Sequence, residues 1–96
     1  MKTSRRHEQR SRLRIIYDIL RVIGEEEEAR PTRIMYKANL SYDRLQKYLR
    51  ELTRKGLIVE EKTEDRMVYR LTKKGFKALN EIRNIERLLE SLGLSF

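Results

Sequence analysis

A mainly α fold with one small β-hairpin is what this sequence predicts, on three observations. Apolar residues recur at helical spacing in four stretches, the period changes to that of strands between Gly56 and Thr72, and Gly, Pro and capping residues fall at the joins. Ninety-six residues suit one domain, 1–96, with a single core and little room for a large catalytic cavity.

The first helix is expected from Arg10 to Ile23. Leu13, Ile16, Leu20 and Ile23 form one stripe and Ile15, Ile19 and Val22 the next, leaving Arg14, Asp18 and Arg21 as a narrow polar strip. An apolar arc wider than half the circumference predicts that this helix meets two surfaces. Gly24 is expected to end it, and Glu25 to Glu28 read as a solvated acidic loop. Without those four residues the chain has 23 basic against 11 acidic residues, or +12 in place of +8.

Pro31 suits the first turn of a short second helix that buries Ile34, Met35 and Ala38 and stops at Asn39. Ser41 is a good N-cap for a third helix, with Asp43 in the first turn where the helix dipole favours a carboxylate. Its Leu45, Leu49 and Leu52 fall at i, i+4 and i+7, Tyr48 flanks them, and Gly56 provides the stop. The three-residue turn from Asn39 to Ser41 is helix-turn-helix spacing. Leu57 to Glu61 and Met67 to Leu71 then read as a hairpin, with Met67, Tyr69 and Leu71 on one face. Thr72 caps a last helix that has no breaker between Phe76 and Leu92, and Gly75 in its first turn reads as an ordinary local cost. The order of helix, helix, helix, hairpin and helix is that of a winged helix-turn-helix with an added C-terminal helix.

Composition narrows the chemistry. A net charge of +8 points to a polyanion, with nucleic acid ahead of an anionic membrane. There is no Cys and one His, His7, so a disulfide framework, a Cys/His zinc site and a nucleophile–base pair are excluded. The acidic residues lack any paired spacing such as H-E-x-x-H or a calcium loop; no enzyme, metal, cofactor or small-molecule ligand is expected. No stretch is long and apolar enough for a membrane span, and the basic start lacks the apolar core of a signal peptide. The expected location is cytoplasmic, in association with the nucleoid.

The third helix carries the candidate site. Opposite its leucines lie Asp43, Lys47, Arg50 and Arg54, flanked by Arg44, Gln46 and Glu51. Long donors and an amide on a core-anchored helix are what reading a major groove requires, because guanine offers N7 and O6 and adenine pairs with an amide. Arg44, Gln46, Lys47 and Arg50 are therefore expected at base edges or in the groove. Arg33, Lys37, Arg54, Lys62 and Arg66 are expected on phosphates, and Ser41 and Tyr42 at the helix start complete the set. Lys2, Arg5, Arg6 and Arg10 form a basic arm suited to an adjacent minor groove. Tyr36, Tyr42 and Tyr48 also admit stacking on single strands, but Tyr beside core positions more often edges the core; Tyr42 is the exception to test.

The run Thr32-Arg33-Ile34-Met35-Tyr36-Lys37-Ala38-Asn39-Leu40-Ser41-Tyr42, continued by Leu45, Tyr48, Leu49, Leu52 and Gly56-Leu57-Ile58, resembles the helix-turn-helix of the small archaeal 10a-type winged-helix proteins. Tyr69-Arg70-Leu71-Thr72-Lys73-Lys74-Gly75 resembles the strand-to-helix junction of the same family. The resemblance covers about Thr32 to Leu79. It implies an archaeal DNA-binding protein, chromatin-associated or regulatory, that dimerises through an antiparallel coiled coil of the last helix.

That last helix has a seam of its own. Ala78, Ile82, Ile85, Leu89 and Leu92 recur at heptad spacing and Leu88 widens it, so residues 76–92 are expected to form a homodimer element. Phe76 and Leu79 lie off the seam and should pack on their own domain. Two heptads are short for a coiled coil, so the broad arc of the first helix is expected to join a mixed interface. Duplex DNA binding as a transcription regulator or nucleoid protein is the leading function; a winged-helix protein-interaction module without nucleic-acid binding is the alternative.

Overall fold

The computed structural model describes residues 10–96. Its elements are α1 (Arg12–Glu25), α2 (Pro31–Ala38), α3 (Tyr42–Arg54), β1 (Ile58–Lys62), β2 (Met67–Leu71) and α4 (Lys73–Ser91). The expected winged helix-turn-helix order is what forms.

α1 is the centre of the core. Its Ile15, Tyr17, Ile19, Leu20, Val22 and Ile23 are all buried, and the helix packs on α2, α4 and β2. The wide arc is thus consumed within the chain, and Leu13 is its large apolar side chain left exposed. The C-terminal turn covers part of the arc too: Gly93 takes a positive φ of 76°, and the Phe96 ring meets Tyr17 edge-on at 6.1 Å. Gly24 does not end α1. The helix continues through Glu25, and a Cβ at Gly24 would lie only 3.1 Å from Leu71 Cδ1, so the glycine makes room for the wing.

Ser41 and Thr72 cap where the sequence places them, while the first helix starts at Arg12 behind a Ser11 cap rather than at Arg10. The side-chain hydroxyls of Ser11, Ser41 and Thr72 accept from the amides of Arg14, Arg44 and Gly75, opening α1, α3 and α4. Asn39 closes α2 in the left-handed region at φ 56°, a conformation that Asn tolerates better than most residues. Ile34 and Ala38 of α2, Leu40 of the turn, and Leu45, Leu49 and Leu52 of α3 join the same core, none more than 8% exposed.

β1 and β2 pair antiparallel with Ile58 opposite Leu71 and Lys62 opposite Met67. Thr63 closes the hairpin, its amide and hydroxyl both donating to the Arg66 carbonyl. The strand faces differ from the expected alternation, since Val68 and Tyr69 are both buried. The reason lies in the loop before α2: Ala29 forms an isolated bridge with Tyr69, whose amide donates to the Ala29 carbonyl at 2.9 Å. This pins the acidic run beside β2.

At the other end of the hairpin the Thr72 hydroxyl donates to the Gly56 carbonyl at 2.6 Å, and the Thr72 amide to that of Leu57 at 3.1 Å. Gly75 is not an ordinary helical glycine. Its Cα lies so close to the Leu57 carbonyl that a Cβ would overlap the oxygen. Leu79 is buried as expected, whereas Phe76, expected to pack on its own domain, is 51% exposed.

Candidate nucleic-acid interface

α3 presents the expected amphipathic section. Its three leucines are at most 1% exposed, while Lys47, Arg50 and Arg54 stand in solvent and Arg44 and Gln46 are half-buried at the flanks. Burying three leucines fixes the rotation of the helix about its axis, and with it the direction of every long donor on the outer face. The Ser41 hydroxyl oxygen accepts from the Arg44 amide as the cap, which leaves its O–H free to donate outward.

Two recesses flank α3. Toward the wing, a groove of about 440 Å³ is lined by Gln46, Arg50, Thr53 and Arg54 on one wall and by Glu60 and Tyr69 on the other. The Tyr69 hydroxyl donates to Glu60 Oε2 at 2.9 Å, and burial together with that carboxylate pushes the phenol up to about 12. This pair was readable only by laying the two strands antiparallel in register, which sets Glu60 opposite Tyr69. On the other side, a recess of about 230 Å³ is lined by Arg12, Arg44, Lys47, Tyr48 and Glu51. The Arg12 guanidinium lies over the Tyr48 ring, 5.7 Å from its centroid, and pairs with Glu51. Lys55 also binds Glu51, and the hydrogen bonds from Lys55 and Arg12 hold its carboxyl below the ordinary range.

Arg10 joins the start of α1 to the helix-turn-helix, bonding Asp18 at 2.7 Å and the Asn39 carbonyl at 2.9 Å. The rest of the expected basic arm, Lys2, Arg5 and Arg6, lies outside the described residues. Of the tyrosines, Tyr48 edges the core as expected, but Tyr36 is 80% exposed and Tyr42 56%. Tyr36 sits on the face of α2 turned away from Ile34 and Ala38, so its ring finds no core to edge.

The predicted cations fall into two groups. Among the described residues, no carboxylate lies within ion-pair distance of Arg44, Lys47, Arg50, Arg54 or Lys62. Arg33, Lys37 and Arg66 are paired instead. Glu26 takes Arg33 Nε on Oε1 at 3.3 Å and Lys37 Nζ on Oε2 at 3.2 Å, and Glu28 takes Arg66 at 2.9 Å. The acidic run is therefore not the isolated loop that the sequence implies, and the excess of +12 is partly neutralised where it was expected to act. A second feature the sequence reading missed is cationic: Lys73 and Lys74 open α4, and Lys74 Nζ donates to the Lys55 carbonyl at 3.0 Å, beside the end of α3.

A winged helix-turn-helix family model matches residues 9–90. The chain belongs to that family. An uncharacterized protein of Methanocaldococcus jannaschii, MJ0287, is 32% identical over 90 residues, 94% of this chain and 88% of that one. Among solved structures, Sso10a-2, a DNA-binding protein from Sulfolobus solfataricus, is 32% identical with a TM-score of 0.75, covering 86% of this chain and 85% of its own. The resemblance to 10a-type proteins thus extends from the short motifs to the whole winged domain. Streptococcus pneumoniae FabT, solved in complex with DNA, has a TM-score of 0.67 at 24% identity; the match takes in 80% of this chain and 55% of FabT, and at that identity it speaks for the fold alone.

Proposed function

We infer that this winged helix-turn-helix protein binds duplex DNA through α3. The observation that carries the reading is a helix locked to the core by Leu45, Leu49 and Leu52 whose outer face offers Lys47, Arg50 and Arg54 with no carboxylate in reach among the described residues. Sso10a-2, described as a DNA-binding protein, supports it. Arg44, Gln46, Lys47 and Arg50 are assigned to the groove, Arg54 and Lys62 to phosphates, with Tyr42 beside the first turn. Arg33, Lys37 and Arg66 are phosphate contacts that must first leave their carboxylates. The role is binding rather than catalysis, as a regulator or nucleoid protein in the cytoplasm. None of the described helices is long and apolar enough to cross a membrane.

Duplex binding is expected to weaken steeply with salt, since each phosphate neutralised contributes about −0.9 to the slope of log affinity against log salt. Titrating a random duplex at several salt concentrations, with single-stranded DNA as competitor, tests this. A flat salt response, or preference for the single strand, contradicts the reading, and no binding at low salt favours a protein-interaction module.

The same reading includes a homodimer built on α4. Ile85, Leu88 and Leu92 are 44%, 58% and 62% exposed, and Ile82 and Leu89 are half-buried beside them. A seam of this kind loses its apolar surface to water unless a second copy covers it. The first helix contributes Leu13 and the half-buried Ile16 at most, the rest of its arc being buried. Light scattering at micromolar concentration should give a dimer, and Leu88→Glu with Leu92→Glu a folded monomer; a monomeric wild type overturns this part.

A further inference from the structure

The acidic run stands where a duplex would have to compete with it. Glu26 grips Arg33 and Lys37 of α2 with one oxygen each, and Glu28 grips Arg66 at the wing. In both cases a carboxylate takes the place that a phosphate oxygen would take. Ala29 fixes the loop by its bridge to Tyr69, so these contacts are held by backbone pairing and not by free side chains alone. Glu26 is itself sheltered, its side chain 20% exposed, and the Lys37 hydrogen bond keeps its carboxyl below the ordinary range and so charged. The three cations remain accessible, at 54%, 36% and 37% exposed.

We propose that Glu26 and Glu28 set how strongly this protein holds a duplex, by occupying Arg33, Lys37 and Arg66 until DNA phosphates displace them. The proposal rests on the DNA-binding reading and deepens it. It divides the surface by strength: α3 is free to engage at once, whereas α2 and the wing engage only against an internal competitor. Weak exposed ion pairs suit that role, because each is worth little enough for a phosphodiester to replace it.

The test uses the full chain and a random duplex followed by fluorescence anisotropy across a salt series. E26Q combined with E28Q should bind about threefold more tightly or better, since it frees Arg33 and Lys37 and leaves Arg66 paired only with its exposed neighbour Asp65 at 3.5 Å. Its salt slope should steepen by roughly one unit for each phosphate newly engaged. E27Q changes the charge equally in the same loop, yet Glu27 has no ion-pair partner among the described residues, so it should do much less. On an R33A/K37A background the gain from E26Q should vanish. Unchanged or weaker binding by E26Q/E28Q, in protein shown to be folded by its thermal melt, overturns the proposal, because the carboxylates would then be positioning the cations. An equal gain from E27Q overturns it too, since the effect would be bulk charge. If the wild type binds and these variants match it, this proposal alone falls. If neither wild type nor variants bind duplex, the DNA reading falls with it.

Discussion

Replacing Lys47 and Arg50 together by Ala is expected to weaken duplex binding about 100-fold, on the basis that a good groove contact is worth roughly 1–3 kcal/mol. Both side chains are exposed on α3, three residues apart on the face away from the leucines that anchor it, and among the described residues neither makes an ion pair. Nothing in the fold depends on them. Surface changes of this kind usually alter stability by less than about 0.5 kcal/mol, so the thermal melt should hardly move while affinity collapses. The single variants separate reading from positioning. Arg50→Ala should lose affinity for a preferred sequence and flatten the preference, as expected of a guanidinium at a base edge. Arg54→Ala, at the end of the helix, should weaken all duplexes alike and lower the salt slope by about one unit. Anisotropy on a small panel of duplexes measures both. If the double variant binds as the wild type does, α3 does not enter the groove.

Much of this surface was legible in the sequence because it depends on local rules. The spacing of Leu45, Leu49 and Leu52 sets the rotation of α3, and Ser41 and Gly56 mark its ends, so its outward residues follow from geometry alone. What the sequence could not show is what the loops bring together. Glu25 to Glu28 look solvated in one dimension; only the pairing of Ala29 with Tyr69, 40 positions away in the chain, sets Glu26 against α2 and Glu28 against the wing. The wide arc of α1 implies contact with more than one surface, and the helix makes it. Which surfaces those were, α2, α4 and β2 of the same chain, is a matter of tertiary packing, and this shifts the candidate dimer contact onto α4.

Gly24 is no helix stop and Gly75 no ordinary local cost, and the two carry opposite predictions. Both lie inside helices, where exchange of Gly for Ala should by itself gain about 1 kcal/mol. At Gly24 the nearest obstacle is Leu71 Cδ1 at 3.1 Å, the end of a side chain that can turn aside, so Gly24→Ala should be close to neutral or slightly stabilising. At Gly75 the obstacle is the Leu57 carbonyl, which is backbone and cannot rotate away. It also accepts from the Thr72 amide, so moving it disturbs the junction that ties the end of α3 to the start of α4. Here the overlap outweighs the propensity. Gly75→Ala is expected to cost about 2–4 kcal/mol net, in the range of overpacking and lost backbone contacts. For a domain of this size that corresponds to a melting temperature lower by roughly 10–20 °C. Thr72→Ala, which removes the cap and its bond to the Gly56 carbonyl but leaves the space open, should cost only about 1 kcal/mol. Thermal melts of the three variants decide the matter: equal, small effects at Gly24 and Gly75 would mean that α4 can slide away from Leu57, and that the wing is not fixed to the recognition helix by this contact.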